Sequence, residues 1–306
     1  PISDECGLMF PIIPANSVAS FTQNDEGIFG FGENSGGNQS MTNLVSNTGV
    51  VSADVTGVGS VRYSPAACEY GGDKGIFGYG YGPGYEMASM TNLVSNTGVV
   101  SSDVAGVGTA RTVLGACEYG VDKGIFSFGS TVLVCTNLVS NTGVVGSDIA
   151  QVGTARAEVA ACEYGNDKGI FGYGGGPVSI TNLVSDTGVV SSDVAGVGTA
   201  REGLKACSYG EDKGIFGYGD DKVGGLTAVT NLVSDAGVVS SDVTGVGTAR
   251  RLPAGCEYGG DKGIFGFGYT GSDTGVTNLV SNTGVVASDT AAVGTARRSL
   301  AACSFN

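Results

Sequence analysis

The chain has 306 residues, 41% of them apolar, with 55 glycines, no histidine, no tryptophan and a formal net charge of −14. That apolar content can build a core, which excludes a disordered chain. With only 15 Lys and Arg there is no clustered basic surface to displace counterions from a nucleic acid or to hold an anionic membrane. No run of 18 apolar residues offers a spanning helix, and no signal-peptide pattern is visible at the start.

Residues 1–23 come first. Leu8-Met9-Phe10-Pro11-Ile12-Ile13-Pro14 is too apolar for a solvated tail and too rich in proline for a helix. It is expected to dock, either across the protein's own surface or onto another subunit. Cys6 lies in this segment and the sequence names no partner for it.

From residue 24 onward the chain repeats itself. The phrase T-N-L-V-S-[ND]-[TA]-G-V-V begins at Thr42, Thr91, Thr136, Thr181, Thr230 and Thr277, and its asparagine recurs at intervals of 49, 45, 45, 49 and 47 residues. A period of this size marks a solenoid, an array or a propeller.

Residues 66–107 show one full unit. Ala66–Tyr70 is a short apolar strand, A, ended by the turn Gly71-Gly72-Asp73. Gly75–Tyr79, with β-branched and aromatic residues between glycines, is strand B. The variable segment 81–89 leads to strand C, Met90–Ser95, and Asn96-Thr97-Gly98 forms a tight hairpin loop into strand D, Val99–Gly108. Four short strands without helical periodicity make an antiparallel blade.

The pattern opens at strand B (Asp25–Gly32) and stops at strand A (Ala301–Asn306), so the two ends complement each other. The expectation is an all-β fold over 24–306: a six-bladed β-propeller of four-stranded antiparallel blades. Pairing of the C-terminal strand with the N-terminal blade would close it and remove unpaired edges.

The wording T-A-R-x4-A-C-E-Y-G-x-D-K-G-I-F-G-Y-G, followed by T-N-L-V-S, resembles the kelch repeat of β-propellers over about residues 24–306. It departs from that family in lacking the strand-D tryptophan and in showing Gly-Tyr-Gly or Gly-Phe-Gly for the double glycine. Some kelch-fold proteins are copper oxidases, but the resemblance implies two histidine ligands that this chain lacks. More distantly, the repeat resembles those of phage virion and tail proteins.

Six of the eight cysteines (Cys68, Cys117, Cys162, Cys207, Cys256 and Cys303) share one position on strand A. Equivalent residues on the innermost strands form a hexagon whose side equals its radius. Disulfides would need Cα atoms within about 6 Å and would crush the channel. Packing between blades as small apolar groups is expected instead. Glu69, Glu118, Glu163 and Glu257 follow these cysteines, with Ser208 and Ser304 at the other two positions. They are expected to bond a neighbouring blade's arginine or backbone rather than to hold a hard cation. The repeated Asp54, Asp103, Asp148, Asp193, Asp242 and Asp289 are expected to be structural too.

Variation between repeats points to function. The A–B and C–D turns are nearly uniform, whereas the B–C segments 33–40, 81–89, 130–134, 175–179, 220–228 and 269–275 differ in length and composition. In an up-and-down blade these segments share a face with the D–A connections, and rigid scaffolds place recognition on such loops. Tyr81, Tyr85, Asp220, Asp221 and Tyr269 are the candidate ligand-binding residues of this face. No catalytic residue, metal or cofactor is implied. The reading is a non-catalytic structural and recognition module of a virion appendage or extracellular assembly, part of an oligomer or larger particle. Its partners would be neighbouring proteins or a surface glycan, not nucleic acid or a membrane interior. The alternative is a secreted carbohydrate-active enzyme using a pair among Glu33, Glu86, Asp220, Asp221 and Asp273.

Overall fold

The computed structural model describes residues 24–130, 135–150 and 152–306; the expected docking segment 1–23, with Cys6, lies outside them. The described residues contain strands and no helix. Six antiparallel sheets carry the repeat, and a seventh, two-stranded sheet is the hairpin Glu33–Asn34/Gly37–Asn38 within the first B–C segment. Each of the six runs A, B, C in space, and five of them do so in sequence too, for example Ala66–Tyr70, Lys74–Gly78 and Thr91–Val94.

The first of these sheets takes its A strand from the other end of the chain. Ala301–Phe305 pairs antiparallel with Glu26–Gly30, which pairs in turn with Thr42–Val45. Its register repeats that of the continuous sheets: Cys303 lies opposite Ile28 and Leu44 beyond it, as Cys68, Ile76 and Leu93 align in the next sheet.

Strand B is buried on both faces because sheets pack on each side of it. In Ile28-Phe29, as in Ile76-Phe77, both side chains are 0% exposed. The pleat sends them to opposite faces, and they enter different cores. Ile28 packs with Phe77, Val94 and Val100 of the second sheet, whereas Phe29 packs with Ile264, Phe267 and Cys256 of the sixth. The apolar core is thus distributed as clusters between sheets. The A strands touch in series, and the series returns to its start: Ala301–Phe305 contacts both Ala254–Tyr258 and Ala66–Tyr70.

The repeat cysteines are free and buried at these junctions, as expected of small apolar groups. Each Sγ rests on the first glycine of the next sheet's K-G-I-F strand, or E-G-I-F in the first sheet. A Cβ at Gly124 would meet Cys68 Sγ at 2.5 Å, and one at Gly27 would meet Cys256 Sγ at 2.7 Å. Glycine here serves close approach between sheets.

The expected fourth strand is a correction. Among the described residues only Ile149–Ala150 forms a strand beyond C; in the other sheets the D segment is held by isolated bridges such as Thr42–Val55 and Val45–Val51. A bulge interrupts the C–D pairing, in the third sheet as in the others. Ser52 N–H donates to Leu44 O and Val55 N–H to Thr42 O, so one extra residue sits on the D side. Ser52 Oγ accepts the Leu44 N–H at 2.8 Å in place of a main-chain carbonyl, and Asn43 Nδ2 donates to Ser52 O at 3.0 Å.

The repeat Arg and Asp close each junction. Arg62, 0% exposed, lies 4.0 Å above the Phe31 ring and donates to Asn92 Oδ1 at 2.5 Å. Asn92 in turn donates to Asp103 at 2.9 Å, and Asp103 accepts the Ser60 hydroxyl at 2.7 Å. Burial lowers the Arg62 pKa to about 10 against the opposing Asp103 charge, so the guanidinium stays charged at neutral pH.

Candidate functional site

The variable segments meet the D–A connections through backbone pairs. Tyr63 pairs with Tyr81, Glu202 with Asp220, Arg251 with Tyr269, and Glu33 with Arg298. The residues after each repeat arginine are therefore fixed beside the loop that varies with them.

Two clusters result. In the first, the Tyr63 and Tyr81 rings stack at 5.0 Å with 28° between their planes, and Tyr85 meets Tyr63 edge-on at 6.3 Å. Tyr85 is 77% exposed and is held at φ +62° within the G-Y-E turn. Burial, then the neighbouring Glu33, Tyr81 and Tyr85, push the Tyr63 phenol up to about 12.

The second cluster is a chain of charges. Arg298 pairs with Glu33 at 3.2 Å and Asp273 at 2.7 Å. The guanidiniums of Arg298 and Arg251 lie 5.1 and 5.5 Å from the Tyr269 ring centre. Arg251 reaches Asp220 at 3.6 Å, and Lys222 joins Asp220 at 3.4 Å to Glu202 at 2.8 Å. Asp220 and Tyr269 thus belong together through Arg251, and Tyr81 belongs with Tyr85 through Tyr63. Asp221 stands apart: its Oδ1 accepts the Val223, Gly224 and Gly225 N–H groups at 2.6–2.9 Å and shapes its own turn. Those bonds hold its pKa below the usual range.

Sequence reasoning noted Tyr63 and Glu202 as variable residues after the repeat arginine and Arg251 and Arg298 as cations outside the repeat, but placed none of the four in the candidate site. The signal was present. All four fall in the non-repeating residues that follow or precede a repeat strand, and Arg251 and Arg298 are cations outside the repeat pattern.

No family model matches this chain, and no curated protein matches it.

Between the A strands, the side nearest the variable segments is narrowed by a series of main-chain hydrogen bonds. Ser64, Val113, Glu158, Leu252 and Ser299 each have φ between 50° and 55°. They pass main-chain hydrogen bonds from sheet to sheet: Val113 N–H to Ser64 O, Ser64 N–H to Ser299 O, Ser299 N–H to Leu252 O, and Leu252 N–H to Gly203 O. The opposite side holds a cavity of about 760 Å³, lined by all six A strands and by A–B turn residues including Val121, Asn166 and Glu211.

Glu69, Glu118, Glu163 and Glu257 line that cavity. Only Glu69 meets the expectation of a backbone partner, accepting the Ser304 N–H at 2.6 Å. Glu118 and Glu257 each keep a buried Oε1 without a hydrogen-bond partner. The expected arginine partners are not there: the repeat guanidiniums lie over aromatic rings between the sheets, as Arg62 does over Phe31 and Arg111 over Tyr79. Burial, reinforced by the other carboxylates, raises Glu118 and Glu257 well above the usual range and brings Glu163 to about 8. Among the described residues no three Cys, Asp or Glu are grouped closely enough to hold a metal ion.

Proposed function

We propose that the six sheets are the blades of a six-bladed β-propeller that works as a non-catalytic recognition and structural module. In this reading it belongs to a virion appendage or extracellular assembly, and its variable face meets a neighbouring protein or a surface glycan. Support for the propeller comes from the contact series that returns to its start, from the Ala301–Phe305 pairing and from the core clusters between successive sheets.

The observation that carries the recognition reading is the Tyr63–Tyr81–Tyr85 group. It is a stacked pair with an exposed third ring, held by the backbone pairing of Tyr63 with Tyr81. Aromatic rings held this way suit stacking on sugars or burial in an interface. The enzyme alternative finds less support, because Glu33, Asp220 and Asp273 are each engaged by Arg298, Arg251 or Lys222 and Asp221 caps its own loop.

Screening on an immobilised glycan panel, with Tyr81→Ala/Tyr85→Ala as the comparison, tests this. Binding that falls at least tenfold in the variant supports the reading. Hydrolysis of any glycan by the wild-type protein would replace it with the enzyme. Face-on electron micrographs should show six lobes.

A further inference from the structure

The cavity among the A strands is chemically unlike the variable face and is independent of the reading above. Its wall carries four carboxyl groups at one repeat position, Glu69, Glu118, Glu163 and Glu257. Glu257 is 9% exposed, and its Oε1 has no partner. Asn24, 7% exposed and on the same wall, also leaves its Oδ1 without a partner, as does Glu118 its Oε1. All three orphaned atoms are acceptors. A buried acceptor left unpaired costs about 1–3 kcal/mol, and more if charged. Lys262 is the one cation on this wall and it is paired with Asp261, so the wall is strongly acidic on balance.

Two observations define the missing group. No three carboxylates converge on one point, so a single hard cation with several oxygen ligands does not fit. A cavity of about 760 Å³ has the size of small-molecule sites, roughly 300–1,000 Å³. Carboxyl groups carried by four different A strands around such a space match a flexible cation with several N–H donors spread along its length.

We propose that this cavity binds a linear organic polyamine, whose ammonium groups are received by Glu118, Glu163 and Glu257. Ammonium supplies three donors on a point charge, and charge-assisted bonds to carboxylate are about twice as strong as neutral ones. The like charges that now oppose ionisation of these carboxyls would be offset by the ligand. The ligand would enter past the A–B turns, since the other side is narrowed by the Ser64–Ser299 and related main-chain bonds.

The test is calorimetric titration of the full chain with spermidine, against magnesium chloride at matched ionic strength. Because a net charge of −14 attracts any cation, the control is Asp186→Asn/Asp235→Asn, which removes two exposed charges. The expected result is one saturable site for spermidine, at least tenfold weaker in Glu118→Gln/Glu257→Gln and within twofold of wild type in the control. If the glutamine variant fails to fold, Glu118→Ser/Glu257→Ser replaces it, using the residue the repeat itself places at Ser208 and Ser304. Equal weakening in both charge-removal variants, no saturable binding, or magnesium binding as tightly as spermidine would overturn the proposal.

Discussion

Asp54 receives Thr295 from 241 positions further along the chain, accepting its main-chain N–H at 3.0 Å and its hydroxyl at 2.6 Å on Oδ2. Asp103 receives Ser60 in the same way at 3.0 and 2.7 Å. The contact between the two ends of the repeat series is therefore the same bond that joins consecutive sheets.

This equivalence is testable. Asp54→Ala should cost about 1–3 kcal/mol in urea unfolding, the price of leaving partly buried donors unmatched, and Asp103→Ala should cost a similar amount. A neutral Asp54→Ala beside a damaging Asp103→Ala would show that the junction between the chain ends is not formed in solution.

Removing residues 301–306 takes away the A strand of the first sheet and exposes its apolar partners in two core clusters, including Ile28 and Phe77. The midpoint of thermal unfolding should fall far more than it does when the loop 81–89 is shortened. Similar small losses from the two deletions would count against closure.

Gly124→Ala should destabilise by about 1–3 kcal/mol, the usual cost of overpacking, because the new Cβ would lie 2.5 Å from Cys68 Sγ. Adding Cys68→Ala should recover part of the loss. A double-mutant cycle reads the coupling, which should be well above the few tenths of a kcal/mol found for independent sites.

Stability should be highest in mildly acid solution. Glu163 is raised from 4.5 to about 8, with Glu118 and Glu257 also raised, so the folded state keeps protons that the unfolded chain has released. Their stabilisation is fully present below about pH 4.5 and is lost as pH rises towards 8, with a slope of at most ~1.4 kcal/mol per pH unit per group. Asp54 and its equivalents act oppositely. Burial raises their pKa, but hydrogen bonds such as those from Thr295 and Asn43 bring it below the ordinary value of 3.8. Their contribution is present above that value and lost as pH falls through the lower folded one. Glu163→Gln should flatten the alkaline limb in urea unfolding measured from pH 4 to 9, and an unchanged limb would remove Glu163 from this account.

The period and composition of the repeat were enough to specify strands A, B and C, their antiparallel order and the burial of the cysteines. Each rests on local spacing: alternation, glycine turns and a small residue recurring at one position. The pairing of Ala301–Phe305 with Glu26–Gly30 was legible too, because the two ends carry complementary parts of one unit. What the sequence did not determine depends on neighbours distant along the chain. The D segment was read as a strand, yet Ser52 Oγ and the Asn43 amide take its ladder bonds, a competition visible only with both side chains in place. The partners of the four glutamates were decided likewise. A carboxylate beside an arginine-rich repeat looks satisfiable on paper, but the folded chain places the guanidiniums over aromatic rings such as Phe31 and Tyr79 and leaves Glu118 and Glu257 facing one another's charge in a shared cavity. Periodicity sets which residues are equivalent; only the tertiary structure sets what each equivalent residue meets, because those contacts form between sheets and not along the chain.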